Sequence, residues 1–342
     1  MIQLVCGVQR GTLPKHFVEQ TVVSTQFFGI DIMKKSSCEA VPHYFPTISE
    51  AEDLYSTYIA NSVLNNFLSC TAIMLNIITI HAIRKTSLPK TLKALLLSLA
   101  VSDFGVGVLS QPLYTSLLVK WLQKGIPSCG NYKVFLVIML LFSLASLFGV
   151  QAISVDRFLA IHFHLRYREL VTHKRVVAVI ILVWLLSGFL SLATLWVSPG
   201  IRSIILTTSV VVGVLFATMV YIRAYLAVRR HKNQIQALQV QEVARTAGEI
   251  TNFSSLIKSV VGVFYVYLVF VACYSPFFIC LAAIKINGPT IALTRFSLFS
   301  WTLVFLNSSL NPVIYCWKMR HIRQSIVDIL RNMSWHRNRS SQ

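Results

Sequence analysis

Residues 156–161 read Asp156-Arg157-Phe158-Leu159-Ala160-Ile161 and close the third of seven long apolar runs. An aspartate–arginine pair at the edge of a membrane segment is costly. A charged side chain at bilayer centre costs about 2.5–3.5 kcal/mol on an insertion scale, less toward the interface. A chain keeps such a pair where a site uses the charge. The run gives way to His164-Leu165-Arg166-Tyr167, where polar and aromatic residues take over.

Outward from that pair, the 342 residues are 55% hydrophobic and only 13% charged, too apolar for an ordinary soluble domain. Apolar runs fall near 57–83, 92–118, 131–160, 176–197, 202–228, 259–284 and 293–317. Each is long enough to cross a hydrocarbon core, which takes about 20 helical residues. All seven are expected to be helices, because lipid cannot satisfy an open strand edge. Short connections make neighbours antiparallel in one bundle. The expected fold is an all-α membrane protein, a seven-transmembrane helix bundle over residues 56–317. Residues 1–55 read as a loosely packed extracellular segment with no signal-peptide core, and 318–342 as an amphipathic helix with a short tail.

The net charge of +19 matters less than where the cations lie. One side collects 21 of the 31 Lys/Arg, among them Arg84, Lys85, Lys90 and Lys93 in the first loop. The opposite connections hold six and the amino-terminal segment four. The positive-inside rule then puts the amino terminus outside and the carboxyl terminus in the cytosol of a plasma-membrane protein. These cations face anionic lipid and a cytosolic docking surface, so a nucleic-acid partner is not expected. Of seven cysteines, Cys70, Cys273 and Cys316 fall inside spans and read as small core residues. Cys6, Cys38, Cys129 and Cys280 reach the oxidising side, and spacing does not fix how they pair.

Asp103 stands in the second span after Leu99-Ala100-Val101-Ser102. A carboxylate there needs a cation, a proton or several donors. Ser146 in the third span and Asn307, Ser308 and Asn311 in the seventh recur at matching depth, with Asn76 in the first. Together they are a candidate site for a hard cation, against the plainer reading of a protonated carboxyl serving as glue between helices. Asn307, Asn311 and Tyr315 follow at i, i+4 and i+8, on one helical face. Pro312, within Asn311-Pro312-Val313-Ile314-Tyr315, removes a backbone donor and frees a carbonyl for side chains or water. Pro276 does the same in the sixth span, below an aromatic face of Phe270, Tyr274 and Phe277. Arg157 has Asp156 beside it, and the hydroxyls of Tyr221 and Tyr315 are alternative partners once helices rearrange.

These features, one per span and in order, resemble the rhodopsin-like G-protein-coupled receptors. The likeness covers roughly residues 57–331. It rests on Asn76, Leu99–Asp103, Asp156-Arg157-Phe158, Trp184, Tyr221, Cys273-Tyr274-Ser275-Pro276 and Asn311–Tyr315. It implies a receptor that does no chemistry itself. An extracellular ligand would swing the sixth helix outward, opening a cleft over Arg157 for a heterotrimeric G protein. Asp156, Arg157, Phe158, Tyr221, Tyr274, Pro276, Asn311, Pro312 and Tyr315 would form the switch. The cation site would take an optional allosteric sodium ion, no cofactor would be required, and arrestin would be a further partner.

The chain departs from the family in several places. Tyr274 stands where most members have tryptophan, and Leu256 where many have an acidic residue that holds the sixth helix against the arginine. A weak inactive-state clasp and appreciable basal signalling are therefore expected. The loop Ser198–Arg202 is very short and carries no cysteine to pair with Cys129, which is left either free or bound to Cys6 or Cys38. With Gly213 in place of proline, these traits resemble the melanocortin, lysosphingolipid, cannabinoid and adenosine receptor group. Met139 replaces the aspartate of amine receptors, and Phe305 the lysine that would hold retinal. The expected pocket of Met139, Ser143, Tyr274, Phe277, Phe278, Leu281, Phe299, Leu303 and Phe305 suits a peptide side chain, a lipid or another apolar small molecule. The alternative function is a multi-pass transporter or ion-conducting protein using Asp103 and the span-seven asparagines. It would show internal repeats, and none is visible.

Overall fold

The computed structural model describes residues 52–123, 125, 127–163, 166–238 and 246–340. Within them run eight long helices: α1 (Tyr55–Lys85), α2 (Lys90–Leu122), α3 (Cys129–His162), α4 (His173–Ala193), α5 (Pro199–Leu238), α6 (Thr246–Asn287), α7 (Ile291–Lys318) and α8 (Arg320–Ser340). Their starts follow the residues. The side chains of Ser128, Thr172 and Thr290 accept hydrogen bonds from the backbone N–H three residues on, capping α3, α4 and α7. Gly288, at φ 77°, supplies the left-handed residue that turns α6 into α7.

Among the described residues, α1 to α6 each hold a stretch long and apolar enough to cross a membrane. The seventh helix is apolar on average as well, although it is not among the six that meet that measure. It buries Ser297, Ser300, Thr302, Asn307, Ser308, Ser309 and Asn311 against its neighbours. With these polar side chains turned inward and Phe296, Phe299, Leu303 and Val313 outward, the polarity of α7 belongs to one face and not to the helix as a whole.

Toward the Arg157 end, one hydrophobic cluster draws on every helix. It joins Ala82 and Ile83 of α1, Leu95 and Leu99 of α2 and Ile153 of α3. Val176 of α4, Tyr221 of α5, Val266 and Tyr267 of α6, Tyr315 of α7 and Ile322 and Ile329 of α8 complete it. The short helix α8 thus packs its isoleucine face onto the bundle, with Ile326 partly buried beside it. It also runs past Arg331 to Ser340.

Two features shape the bundle interior. At Val106–Ser110, α2 widens into one π turn, whose Gly107 carbonyl accepts from Ser69 Oγ of α1 at 2.8 Å. The ring of Phe142 lies against Gly105, where even a Cβ would collide with it, and meets Trp184 edge-on at 6.1 Å between centroids. Gly213 of α5 likewise admits the Gln151 amide from α3. A proline at Gly213 would add bulk where that amide sits.

Candidate functional site

Three groups of side chains sit at successive depths. The first surrounds Asp103, which is fully buried. Asn311 Nδ2 donates to Asp103 Oδ2 at 2.7 Å. Asp103 Oδ1, Ser146 Oγ, Asn307 Oδ1 and Asn311 Oδ1 are buried with no hydrogen-bond partner among the described residues. Pro312 cannot donate to the carbonyl four residues before it, that of Ser308. Asn76 Nδ2 takes the place of the missing donor at 3.0 Å. The corresponding carbonyl under Pro276 is that of Ala272, and Ser275 Oγ reaches it at 3.5 Å.

The orphaned oxygens bear on which cation this pocket would take. All are hard donors, and one carboxylate supplies the only formal charge. Among the described residues no cluster of three His, Cys, Asp or Glu side chains exists. The donor set fits a monovalent hard cation such as sodium better than zinc or calcium, which draw on nitrogen and sulfur ligands or on several carboxylates.

The second group is at Arg157, only 4% exposed. Its Nε donates to Asp156 Oδ2 at 2.9 Å, and Nη2 pairs with the same oxygen. Tyr167, beyond the end of α3, donates its hydroxyl to Asp156 Oδ1 at 2.7 Å. It also lies 3.4 Å from Arg157 Nη2 and 3.3 Å from Thr91 Oγ1 of α2. Burial, and then the Asp156 charge, push the Tyr167 hydroxyl up to about 12. Tyr221 and Tyr315 do not touch Arg157. Tyr221 is bonded to Ser154 at 2.8 Å, and the Tyr315 hydroxyl is buried without a partner. Phe158 stacks on His162 at 5.4 Å instead. The side chains of Leu256 and Glu249 lie outside the described residues.

The third group is aromatic and lies at the opposite end. Tyr274 stacks on Phe270 at 4.1 Å, and its hydroxyl bonds to Ser143. Above it Phe277 meets Trp301 at 4.5 Å, Trp301 meets Phe135 at 5.8 Å, and Tyr114 meets Phe305 at 5.4 Å. Met139 and Phe305 are buried here, and Phe278 and Leu281 are partly buried on the same helix end. Two expected pocket residues stand on the exposed side of α7. Phe299 is 37% exposed and Leu303 36%, on the outer stripe of α7 with Phe296 and Val313. Steps of four residues drift by about 40° at 3.6 residues per turn, so the line through Asn311 and Asn307 rotates outward by Leu303 and Phe299. Sequence reasoning missed Trp301, Tyr114, Phe135 and Tyr167. Trp301 and Phe305 lie at i, i+4 on the buried side, the pattern that would have found them.

Cys129, left open above as either free or paired, is disulfide-bonded. Its expected partners, Cys6 and Cys38, lie outside the described residues. Cys70, Cys273, Cys280 and Cys316 are free.

The family described as "7 transmembrane receptor (rhodopsin family)" matches residues 75–200. Melanocortin receptor 3 of Rattus norvegicus is 27% identical over 274 residues, covering 77% of this chain and 83% of its own length. Adenosine receptor A2a of Canis lupus familiaris is 26% identical over 306 residues, covering 79% of this chain and 69% of its own. The crystal structure of squid rhodopsin superposes with a TM-score of 0.72 over 85% of this chain and 89% of its own, at 17% identity, a likeness of fold. Together these likenesses support a class A, rhodopsin-like G-protein-coupled receptor. It is a multi-pass plasma-membrane receptor and not an enzyme.

Proposed function

We propose that this receptor sits with its amino terminus outside the cell and its carboxyl terminus in the cytosol. An extracellular peptide, lipid or other apolar small molecule enters the aromatic end of the bundle and favours an outward swing of α6. The cleft that opens has Arg157 at its floor and accepts the carboxyl tail of a G-protein α subunit, promoting nucleotide exchange. Ser334, Ser340 and Ser341 near the carboxyl end are the sites for arrestin recruitment. One observation carries the reading: Arg157 is buried at the end of a long apolar helix and held by Asp156, which Tyr167 holds in turn. A buried cation with a replaceable partner supports two states, and a ligand shifts their balance by binding one better. The Asp103 cluster is the allosteric sodium site, with Ser146, Asn307, Ser308 and Asn311 as its other ligands.

The experiment is a screen of peptides, lipids and nucleosides against the expressed receptor and an Arg157→Ala variant, with cAMP and calcium readouts. An agonist response that disappears in the variant is expected. A response that survives Arg157→Ala overturns the mechanism. A carboxyl-terminal tag reached by antibody on intact cells overturns the orientation.

A further inference from the structure

A groove of about 230 Å³ opens on the outer surface of the bundle, lined by Ile77, Ile80, His81 and Arg84 of α1 and Phe104 of α2. Positions 77, 80, 81 and 84 follow at i, i+3, i+4 and i+7, so one face of one helix forms its wall. The wall is graded along the axis. Isoleucine and phenylalanine line the part toward mid-membrane, and the imidazole and guanidinium stand at the last turn before Lys85.

Both basic side chains are exposed, and neither has a hydrogen-bond or ion-pair partner among the described residues. Their neighbour Lys93 is engaged, its Nζ donating to the backbone carbonyls of Arg84 at 2.6 Å and Thr86 at 3.2 Å. The helix end is thus already capped by one cation, and Arg84 and His81 are left facing outward.

We propose that this groove binds one anionic phospholipid of the cytosolic leaflet. Arg84 and His81 bind the headgroup phosphate, and an acyl chain lies along Ile77, Ile80 and Phe104. Guanidinium matches phosphate oxygens in a two-pronged geometry, and the cytosolic leaflet is the anionic one. A free phosphate would leave the apolar half of the groove uncovered, and a sterol would leave the two cations unused. Assignment to that leaflet rests on the orientation proposed above.

The test uses the full-length receptor in nanodiscs of phosphatidylcholine doped with phosphatidylserine carrying a photoactivatable acyl chain. Crosslinks are mapped by peptide mass spectrometry. The expected result is labelling of the peptides bearing Ile77–Arg84 and Phe104, competed by unlabelled phosphatidylserine and not by phosphatidylcholine. A combined Arg84→Gln and His81→Gln variant lowers that labelling at least fivefold. Ile80→Trp, which fills the groove and keeps both charges, lowers it likewise, and Arg223→Gln on α5 leaves it unchanged. Discs present the probe from both leaflets, so labelling does not depend on orientation, which epitope access on intact cells decides separately. Equal labelling by a phosphatidylcholine probe, or labelling that both groove variants leave intact, would each overturn the site.

Discussion

Asn311 of α7 donates to Asp103 of α2 at 2.7 Å, a bond between residues 208 positions apart that leaves the second carboxylate oxygen bare. Ser146 Oγ, Asn307 Oδ1 and Asn311 Oδ1 are likewise buried without partners among the described residues, and a sodium ion bound at Asp103 would supply the missing charge. Replacing choline chloride by sodium chloride should then raise the melting temperature of the detergent-solubilised receptor. At ten times the dissociation constant, a ligand of the folded state adds about 1.4 kcal/mol, or roughly 2 °C in a chain of this size. Asp103→Asn should melt at the same temperature in both salts. An equal sodium shift in the variant would remove the ion from this site.

Tyr167→Phe deletes the hydroxyl that steadies Asp156 and leaves the ring in place. A hydrogen bond to a charged group contributes about 1.5–3 kcal/mol when buried, and this one is half-exposed, so about 1 kcal/mol is a fair discount. Ligand-independent nucleotide exchange should rise about fivefold, measured with purified G protein in membranes. No change would show that Tyr167 is a bystander. The sign of the pH effect also follows. With its folded value raised to about 12, the hydroxyl adds stability that is complete below its unfolded value near 10 and is lost as pH climbs through 12. This group should therefore give no pH dependence between pH 6 and 9.

Asn76→Ala leaves the Ser308 carbonyl without the donor that replaces the one Pro312 removes. An orphaned buried carbonyl costs about 1–3 kcal/mol, several degrees in thermal melting. Adding Pro312→Ala returns a backbone N–H and should recover part of the loss. A double variant as unstable as the sum of both singles would deny the coupling.

Lys318 links α6 to the end of α7 without any carboxylate. Its ammonium stands 4.1 Å from the Tyr265 ring centroid and 3.5 Å from that of Trp317. Contacts of this kind are worth about 0.5–1 kcal/mol at exposed sites. Lys318→Met should raise basal exchange roughly two- to fivefold if α6 is restrained here, and Lys318→Arg should stay near wild type. Indistinguishable basal rates for all three would assign the restraint elsewhere.

Much of this receptor was legible in its order of residues. Six apolar runs, Asp103 and the Asp156-Arg157 pair announce themselves, because lipid tolerates so few polar side chains that each survivor is conspicuous. The seventh run was legible too, and that its serines and asparagines point inward is a matter of helix phase. Tyr167 escaped notice as a partner because a loop folds its hydroxyl back onto Asp156, and no periodicity encodes that return. Phe299 and Leu303 come out exposed because their line of residues rotates around α7 over three turns. Cys129 is disulfide-bonded, and spacing alone cannot choose between distant thiols.

The π turn at Val106–Ser110 accommodates one residue more than a regular helix would, and everything on the outer half of α2 inherits the offset. Winding this stretch as a regular helix with every residue kept would rotate Tyr114 by about 100°, carrying its hydroxyl off the Leu298 carbonyl and its ring off Trp301. Any comparison that counts evenly from Asp103 to the mouth of the bundle will consequently equate the wrong side chains, so the ligand-facing half of this helix has to be matched backward from its far end.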